Sequence, residues 1–279
     1  MTARARQDTT DVADRYLELL KQCLSRYLFI DEQFGEYAPQ GWKRPIWKPV
    51  SRCLARRHLV LARVGGDRGA RETGRDWPPH AETMVGLRRL ENLQRCLTDV
   101  VRRDVPGDVI ETGVWRGGSS IFMRAVLAAL GDTQRRVWVA DSFEGLPAPD
   151  ARRFPIDKGV DVSSPTLSVS LDDVRRNFEK YQLLDRQVEF LPGWFRDTLP
   201  AAPIEQLSLI RLDGDLYEST MDAISALYPK LSVGGYLIVD DYNWGVTCRQ
   251  AISDYRAEHG ITEEIETIDW TGAYWQRLE

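Results

Sequence analysis

The sequence is short of most features that would announce a chemistry. Among its 279 residues there are only three histidines, His58, His80 and His259. None stands beside the acidic segments described below, so a Ser-His-Asp or Cys-His mechanism has few candidates. The four cysteines, Cys23, Cys53, Cys96 and Cys248, are far apart and form no CxxC pair. That argues against a zinc knuckle or a thioredoxin-like motif, and it predicts reduced thiols in a cytoplasmic protein. No apolar run approaches the roughly 18 residues of a membrane span. The first residues, Met1-Thr2-Ala3-Arg4-Ala5-Arg6-Gln7, lead into polar sequence and not into the apolar stretch of a signal peptide. A net charge of −5 leaves no electrostatic footprint for nucleic acid.

What is present is ordinary in bulk. Hydrophobic residues make up 43% and charged ones 28%, values of a soluble globular protein. The length allows one large α/β domain with an appended N-terminal segment. We place the division at residue 79, with an arm over 1–79 and a main domain over 80–279.

Residues 11–30 carry apolar side chains at helical spacing (Val12, Tyr16, Leu17, Leu20, Cys23, Leu24, Tyr27, Leu28), which predicts an amphipathic helix. Residues 31–79 read as an irregular arm with one short helix near 49–63 and a flexible stretch over 64–74. Trp42, Trp47 and Trp77, read as buried, argue against full disorder there. A second helix is predicted over 83–101. From there strand and helix alternate: strands over 108–112, 136–140, 188–191, 207–212 and 236–239, helices over 118–130, 171–181, 220–231 and 246–259, and a closing strand pair over 264–269 and 273–278. This order predicts a parallel, doubly wound sheet with right-handed crossovers, whose ligands bind outside the C-terminal strand ends. The link 142–170 is long enough to act as a lid.

The chemistry gathers at those strand ends. Glu111-Thr112-Gly113-Val114-Trp115-Arg116-Gly117-Gly118 joins the first strand of the main domain to a helix. A dehydrogenase would use GxGxxG to hold a pyrophosphate. Here the spacing is GxxxGG, and Glu111 would repel a phosphate. An acid at that place suits a ligand with an ammonium group, which points to S-adenosylmethionine. Asp141 ends the next strand, where it can accept from both hydroxyls of a ribose, and Ser142 follows it. Pro192-Gly193-Trp194-Phe195 follows the third strand, so that Trp194 or Phe195 either stacks on an adenine or packs in the core. Two acidic segments, Asp213-Gly214-Asp215 and Asp240-Asp241, close the runs Leu209-Ile210-Arg211-Leu212 and Tyr236-Leu237-Ile238-Val239. Four carboxylates delivered into one crevice repel one another, and a hard cation with oxygen ligands is the usual remedy. Tyr217, Tyr242 and Trp244 either line a sugar pocket or pack in the core.

With these residues in hand the chain resembles the macrocin O-methyltransferase family, metal-dependent enzymes that methylate deoxysugar hydroxyls on macrolides and related antibiotics. The matching segments are Arg75-Asp76-Trp77-Pro78-Pro79, Thr83-Met84-x-Gly86-Leu87, Gly107 through Gly118, Val137-Trp138-Val139-Ala140-Asp141-Ser142-Phe143-x-Gly145-Leu146-Pro147, Arg211-Leu212-Asp213-Gly214-Asp215-x-Tyr217-x-Ser219-Thr220, and Asp240-Asp241-Tyr242. The resemblance implies a class I methyltransferase fold, a Mg²⁺ site, a homodimer and a small glycoside or sugar acceptor. By it, Asp213, Asp240 and Asp241 would be metal ligands and Asp215 the general base. Glu111, Thr112, Gly113, Ser119, Ser120, Asp141, Ser142, Gly193, Trp194 and Phe195 would meet the methyl donor. The arm over 37–74 departs from the family pattern. Other readings stay open at this point: a phenolic or cyclitol acceptor in the same fold, a nucleotide-sugar oxidoreductase, and a non-catalytic binding module.

Overall fold

The computed structural model of the chain describes residues 3–36, 44–59, 61–162 and 164–279. The near-uninterrupted apolar runs become the parallel centre of a seven-stranded sheet. They are β3 (Asp108–Thr112), β4 (Val137–Asp141), β5 (Val188–Pro192), β6 (Leu207–Leu212) and β7 (Leu231–Val239). Two short C-terminal strands, β8 (Glu266–Thr267) and β9 (Ala273–Gln276), complete it in the order β5-β4-β3-β6-β7-β9-β8. β9 pairs antiparallel with β7, and β8 antiparallel with β9. The chain runs outward from β3 through β4 to β5, then returns to build β6 and β7 on the other side. The crevice for a ligand therefore opens above β3 and β6, where the direction of winding reverses.

Helices cover both faces, as strands buried on both faces require. Neighbouring strand residues point to opposite sides, so Val109 and Leu209 enter one core and Ile110 and Ile210 the other. The first core is closed by α1 (Ala3–Leu24), α4 (Leu87–Arg102), α5 (Gly118–Ala129) and α6 (Leu171–Lys180). The second is closed by α8 (Tyr217–Leu227) and α9 (Thr247–His259), with the four-residue α7 (Phe195–Thr198) at its edge. On α1, Leu17, Leu20 and Leu24 are buried in the first core, while Val12, Tyr16 and Leu19 form an exposed apolar stripe. No helix among the described residues is long and apolar enough to cross a membrane.

Several boundaries differ from the sequence reading, each for a tertiary reason. The first helix stops at Leu24 and not at residue 30, because the Leu24 carbonyl accepts from the backbone N–H groups of Glu82 (3.0 Å) and Thr83 (3.3 Å). The same contact keeps 83–86 extended, so α4 begins at Leu87. α8 begins three residues earlier than expected. The wholly buried Asp157, from the 142–170 link, accepts from the N–H groups of Tyr217 (2.7 Å) and Glu218 (3.1 Å) and so caps its start. β7 begins at Leu231, not at 236, by pairing with Leu207.

The arm is more regular than expected. It holds β1 (Phe34–Glu36) paired antiparallel with β2 (Ala62–Val64), and α2 (Arg44–Ala55) where a helix near 49–63 was predicted. The stretch 64–74, read as flexible, contains α3 (Arg68–Thr73). Asp67 caps it by accepting from the Ala70 N–H at 3.0 Å, and Arg71 is completely buried. Gly74 ends it at φ 66°, where a Cβ would lie 2.7 Å from the backbone N of Gly86, so only glycine lets the arm close onto the start of α4. Trp42 lies outside the described residues. Trp77 is 57% exposed, contrary to the expectation that it is buried.

Candidate active site

The strand ends converge on a cleft of about 420 Å³. Its centre is organised by a residue that the sequence pattern hides. Arg211 is the one charged residue of β6 and is 2% exposed. Its guanidinium donates to Glu111 Oε1 (2.5 Å), to Asp213 Oδ2 (3.0 Å) and to Asp240 Oδ1. Burial works against that charge, but the three carboxylates around it more than compensate and raise its pKa. A second guanidinium, Arg89 of α4, donates to the other oxygen of Asp240 and to Asp269 Oδ2 (3.1 Å). Burial also works against the charge of Asp240, yet Arg211 and Arg89 together hold its carboxyl below the usual range.

Of the remaining acids only Asp213 has an arginine partner, the Arg211 it shares with Glu111 and Asp240. Ligand oxygens of Asp213, Asp215 and Asp241 lie within 4.8 Å of one another. Burial, reinforced by the neighbouring carboxylates, raises the pKa of Asp213 and lifts that of Asp241 well above its ordinary value. The same causes push Asp215 up to about 7. An all-oxygen donor set of three carboxylates that shares a single guanidinium, on Asp213, fits a hard divalent ion. Asp215 also sits at φ 57°, a left-handed conformation uncommon for a residue with a Cβ. The Thr247 hydroxyl donates to its carbonyl at 2.7 Å.

On the other side of Arg211 the glycine loop leaves β3. A Cβ on Gly113 would fall 1.7 Å from the carbonyl oxygen of Asp213, so the loop and the end of β6 touch with no room between them. Asp141 Oδ2 accepts from the Val114 N–H (2.7 Å) and Oδ1 from the Phe143 N–H (2.8 Å). Burial raises its pKa while those donors oppose the rise. Glu111 is 1% exposed, with its second oxygen accepting from the Ser120 hydroxyl. Burial lifts its carboxyl to about 7, with Arg211 pulling the other way.

The residues singled out in the sequence are mostly brought together. Glu111, Gly113, Ser119, Asp141, Ser142, Gly193, Trp194 and Phe195 all line the cleft with Asp213, Asp215, Asp240 and Asp241. Thr112 and Ser120 do not; both are completely buried behind it, and Ser120 braces Glu111. Of the three aromatics considered for a sugar pocket, Trp244 lines the cleft. Tyr217 instead donates to Asp254 at 2.9 Å, and Tyr242 packs against the second core. Arg211 and Arg89 were missed. A cation inside a buried strand that ends in acids was the available signal for Arg211; nothing local marks Arg89.

A parallel sheet reversing at its centre, a glycine loop after the first parallel strand and an acid at the end of the second define the class I S-adenosylmethionine-dependent methyltransferases. The pattern of the macrocin-O-methyltransferase (TylF) family matches residues 13–277, and the chain belongs to that family. It is 50% identical over 270 residues to 8-demethyl-8-(2,3-dimethoxy-alpha-L-rhamnosyl)-tetracenomycin-C 4'-O-methyltransferase of Streptomyces olivaceus, covering 96% of this chain and 94% of that protein. It is 54% identical over 209 residues to demethyldecarbamoylnovobiocin O-methyltransferase of Streptomyces niveus, covering 74% of this chain and 80% of that one. Among solved structures, the O-methyltransferase NovP superposes with a TM-score of 0.78 at 44% identity, covering 96% of this chain and all of that one. The chain is thus a methyltransferase that uses S-adenosylmethionine.

Proposed function

We propose that this enzyme methylates a hydroxyl of a deoxysugar on an antibiotic-like natural product, with Mg²⁺ as cofactor and as a homodimer. The observation that carries the reading is the group of oxygen ligands from Asp213, Asp215 and Asp241 beside a methyl-donor loop. The relatives support the acceptor class: one is named for a rhamnosyl tetracenomycin, and another, of Micromonospora griseorubida, for mycinamicin III.

Residue roles follow from position. The turn from Gly113 to Ser119 and the acid Asp141 would cradle the donor. S-adenosylmethionine supplies, when bound, an electrophilic methyl group on a sulfonium. Asp213 and Asp241 would hold the cation; Asp240, expected as the third ligand, lies outside the close group, which takes in Asp215, and is paired with Arg89 and Arg211. Asp240 keeps acceptor capacity because a carboxylate offers about four lone-pair sites. Mg²⁺, when bound, lowers the pKa of a hydroxyl oxygen beside it. Asp215, in the same close group of carboxylates, is left to take the hydroxyl proton. The cleft walls hold acceptor and donor together and exclude water.

Asp215→Asn should lower kcat by about a hundredfold or more while leaving S-adenosylhomocysteine affinity within about twofold by calorimetry. Near-normal turnover by that variant would remove Asp215 from the base role. EDTA treatment should abolish transfer and added Mg²⁺ restore it; full activity in EDTA would refute the metal. Transfer to catechols but to no glycoside would favour the phenolic reading.

A further inference from the structure

Part of the cleft wall lies beyond the donor loop and the carboxylates, and it is built by the arm and the C-terminal hairpin. Arg75, Asp76, Trp77, Trp244 and Trp270 line it. The segment is fastened from below. Trp270 Nε1 donates to the Thr73 carbonyl at 2.7 Å, the Arg75 guanidinium lies 4.6 Å from the Trp270 ring centre, and Trp244 meets Trp270 edge-on at 5.5 Å. Trp77 and Trp244 remain more than half exposed.

Asp76 is set into this wall by Arg71. The Arg71 side chain is wholly buried and donates to the Met84 carbonyl, and its Nη1 stands 3.4 Å from Asp76 Oδ1. That spacing is not the closed fork of a structural arginine–carboxylate pair, which runs near 2.7–2.9 Å. Arg71 Nε and Nη1 and Asp76 Oδ1 are all buried without a hydrogen-bond partner. Those three atoms are closed off from solvent, but the Asp76 side chain is 25% exposed on the cleft wall, where the rest of its carboxylate can accept from a ligand. Burial raises the Asp76 carboxyl while the Arg71 charge opposes it, and burial pushes Arg71 down to about 10, still cationic at neutral pH.

We propose that Asp76 is an acceptor-binding residue that fixes the sugar, accepting hydrogen bonds from its ring hydroxyls while the exposed indoles of Trp77 and Trp244 cover its C–H face and the attached aglycone. A deoxysugar has this division, one edge of hydroxyl donors and one apolar face, and the wall offers a matching carboxylate and rings. The assignment rests on the proposed sugar acceptor. It adds a specificity determinant at the end of the arm, in the segment 75–79.

The test is steady-state kinetics of Asp76→Asn and Asp76→Ala. The acceptor is the first that wild type turns over from a panel of p-nitrophenyl α-L-rhamnoside and the demethylated glycosides named for the relatives. Acceptor KM should rise about 10- to 100-fold, the weight of a hydrogen bond to a charged group. kcat and S-adenosylhomocysteine affinity should stay near wild type, while Tm falls because Arg71 keeps its buried charge without a partner. Deoxy analogues of the acceptor separate contact from shape: the analogue lacking the hydroxyl held by Asp76 should lose nothing further in Asp76→Asn. Wild-type KM in both variants would overturn the assignment and leave the sugar reading intact. Losses confined to Tm and donor affinity would overturn it likewise. No wild-type transfer to any glycoside would overturn the acceptor class, and this inference with it.

Discussion

At the scale of single residues, Arg211 decides the character of the site. One guanidinium faces Glu111, Asp213 and Asp240 in the interior. Removing one partner of a buried ion pair leaves an uncompensated charge, which costs far more than the pair itself is worth. Arg211→Met should therefore destabilise the fold by about 3–5 kcal/mol, read as a lower midpoint in urea at unchanged slope. A loss below about 1 kcal/mol would show that Glu111 and Asp240 simply take up protons. The acids of the site were legible in the sequence because each ends an apolar run. Their cations were not. Arg211 reads as one polar letter in a strand, and Arg89 reaches Asp240 from 151 positions away. Asp240 is set apart by pairing with both arginines while Asp213 shares only Arg211, a distinction the sequence does not carry.

At the scale of elements, the succession from residue 83 onward was readable from apolar periodicity, and the ends of elements were not. Periodicity records which face is buried, whereas an end is fixed by whatever satisfies its last polar groups. Asp157 caps α8 from 60 residues away, and Glu82 receives the end of α1. The arm was least legible because α3 is held by Arg71 on the Met84 carbonyl and by Gly74 against Gly86, contacts with no local pattern. Local chemistry does govern the turn from α5 to β4. Asp132 Oδ1 accepts from the N–H groups of Gln134 (2.9 Å) and Arg135 (3.0 Å), and Oδ2 pairs with the Arg135 guanidinium. Burial opposes ionisation there, but these donors win and hold the carboxyl below its ordinary 3.8. A carboxyl depressed on folding stabilises above its unfolded pKa, and the contribution disappears as pH falls through the folded value. Asp132→Asn should cost about 1–2 kcal/mol at pH 7, and less once pH falls below the ordinary 3.8, to about 2, as wild type loses the same contribution. Denaturant unfolding at the two pH values measures it, and a gap that stays constant with pH would refute the assignment.

At the scale of the whole molecule, α1 carries apolar residues on two sides. One side is part of the first core; the other, Val12, Tyr16 and Leu19, is open to solvent at 67%, 41% and 54%. That stripe is where the proposed homodimer would associate. Val12→Glu with Leu19→Glu should weaken the proposed homodimer at least about tenfold in sedimentation equilibrium while leaving the circular dichroism of the protomer unchanged. A dimer indifferent to both substitutions would place its contact elsewhere. The touch between Gly113 and the carbonyl of Asp213 has its own consequence. The loop that would receive the methyl donor and the strand end that would receive the cation share one wall, bridged again through Arg211 from Glu111 to Asp213. Neither can shift without moving the other. Under the proposed function the two ligands would be heterotropic effectors of each other. Whatever factor the cation contributes to donor affinity, the donor must return to the cation, because linkage between two binding events is reciprocal.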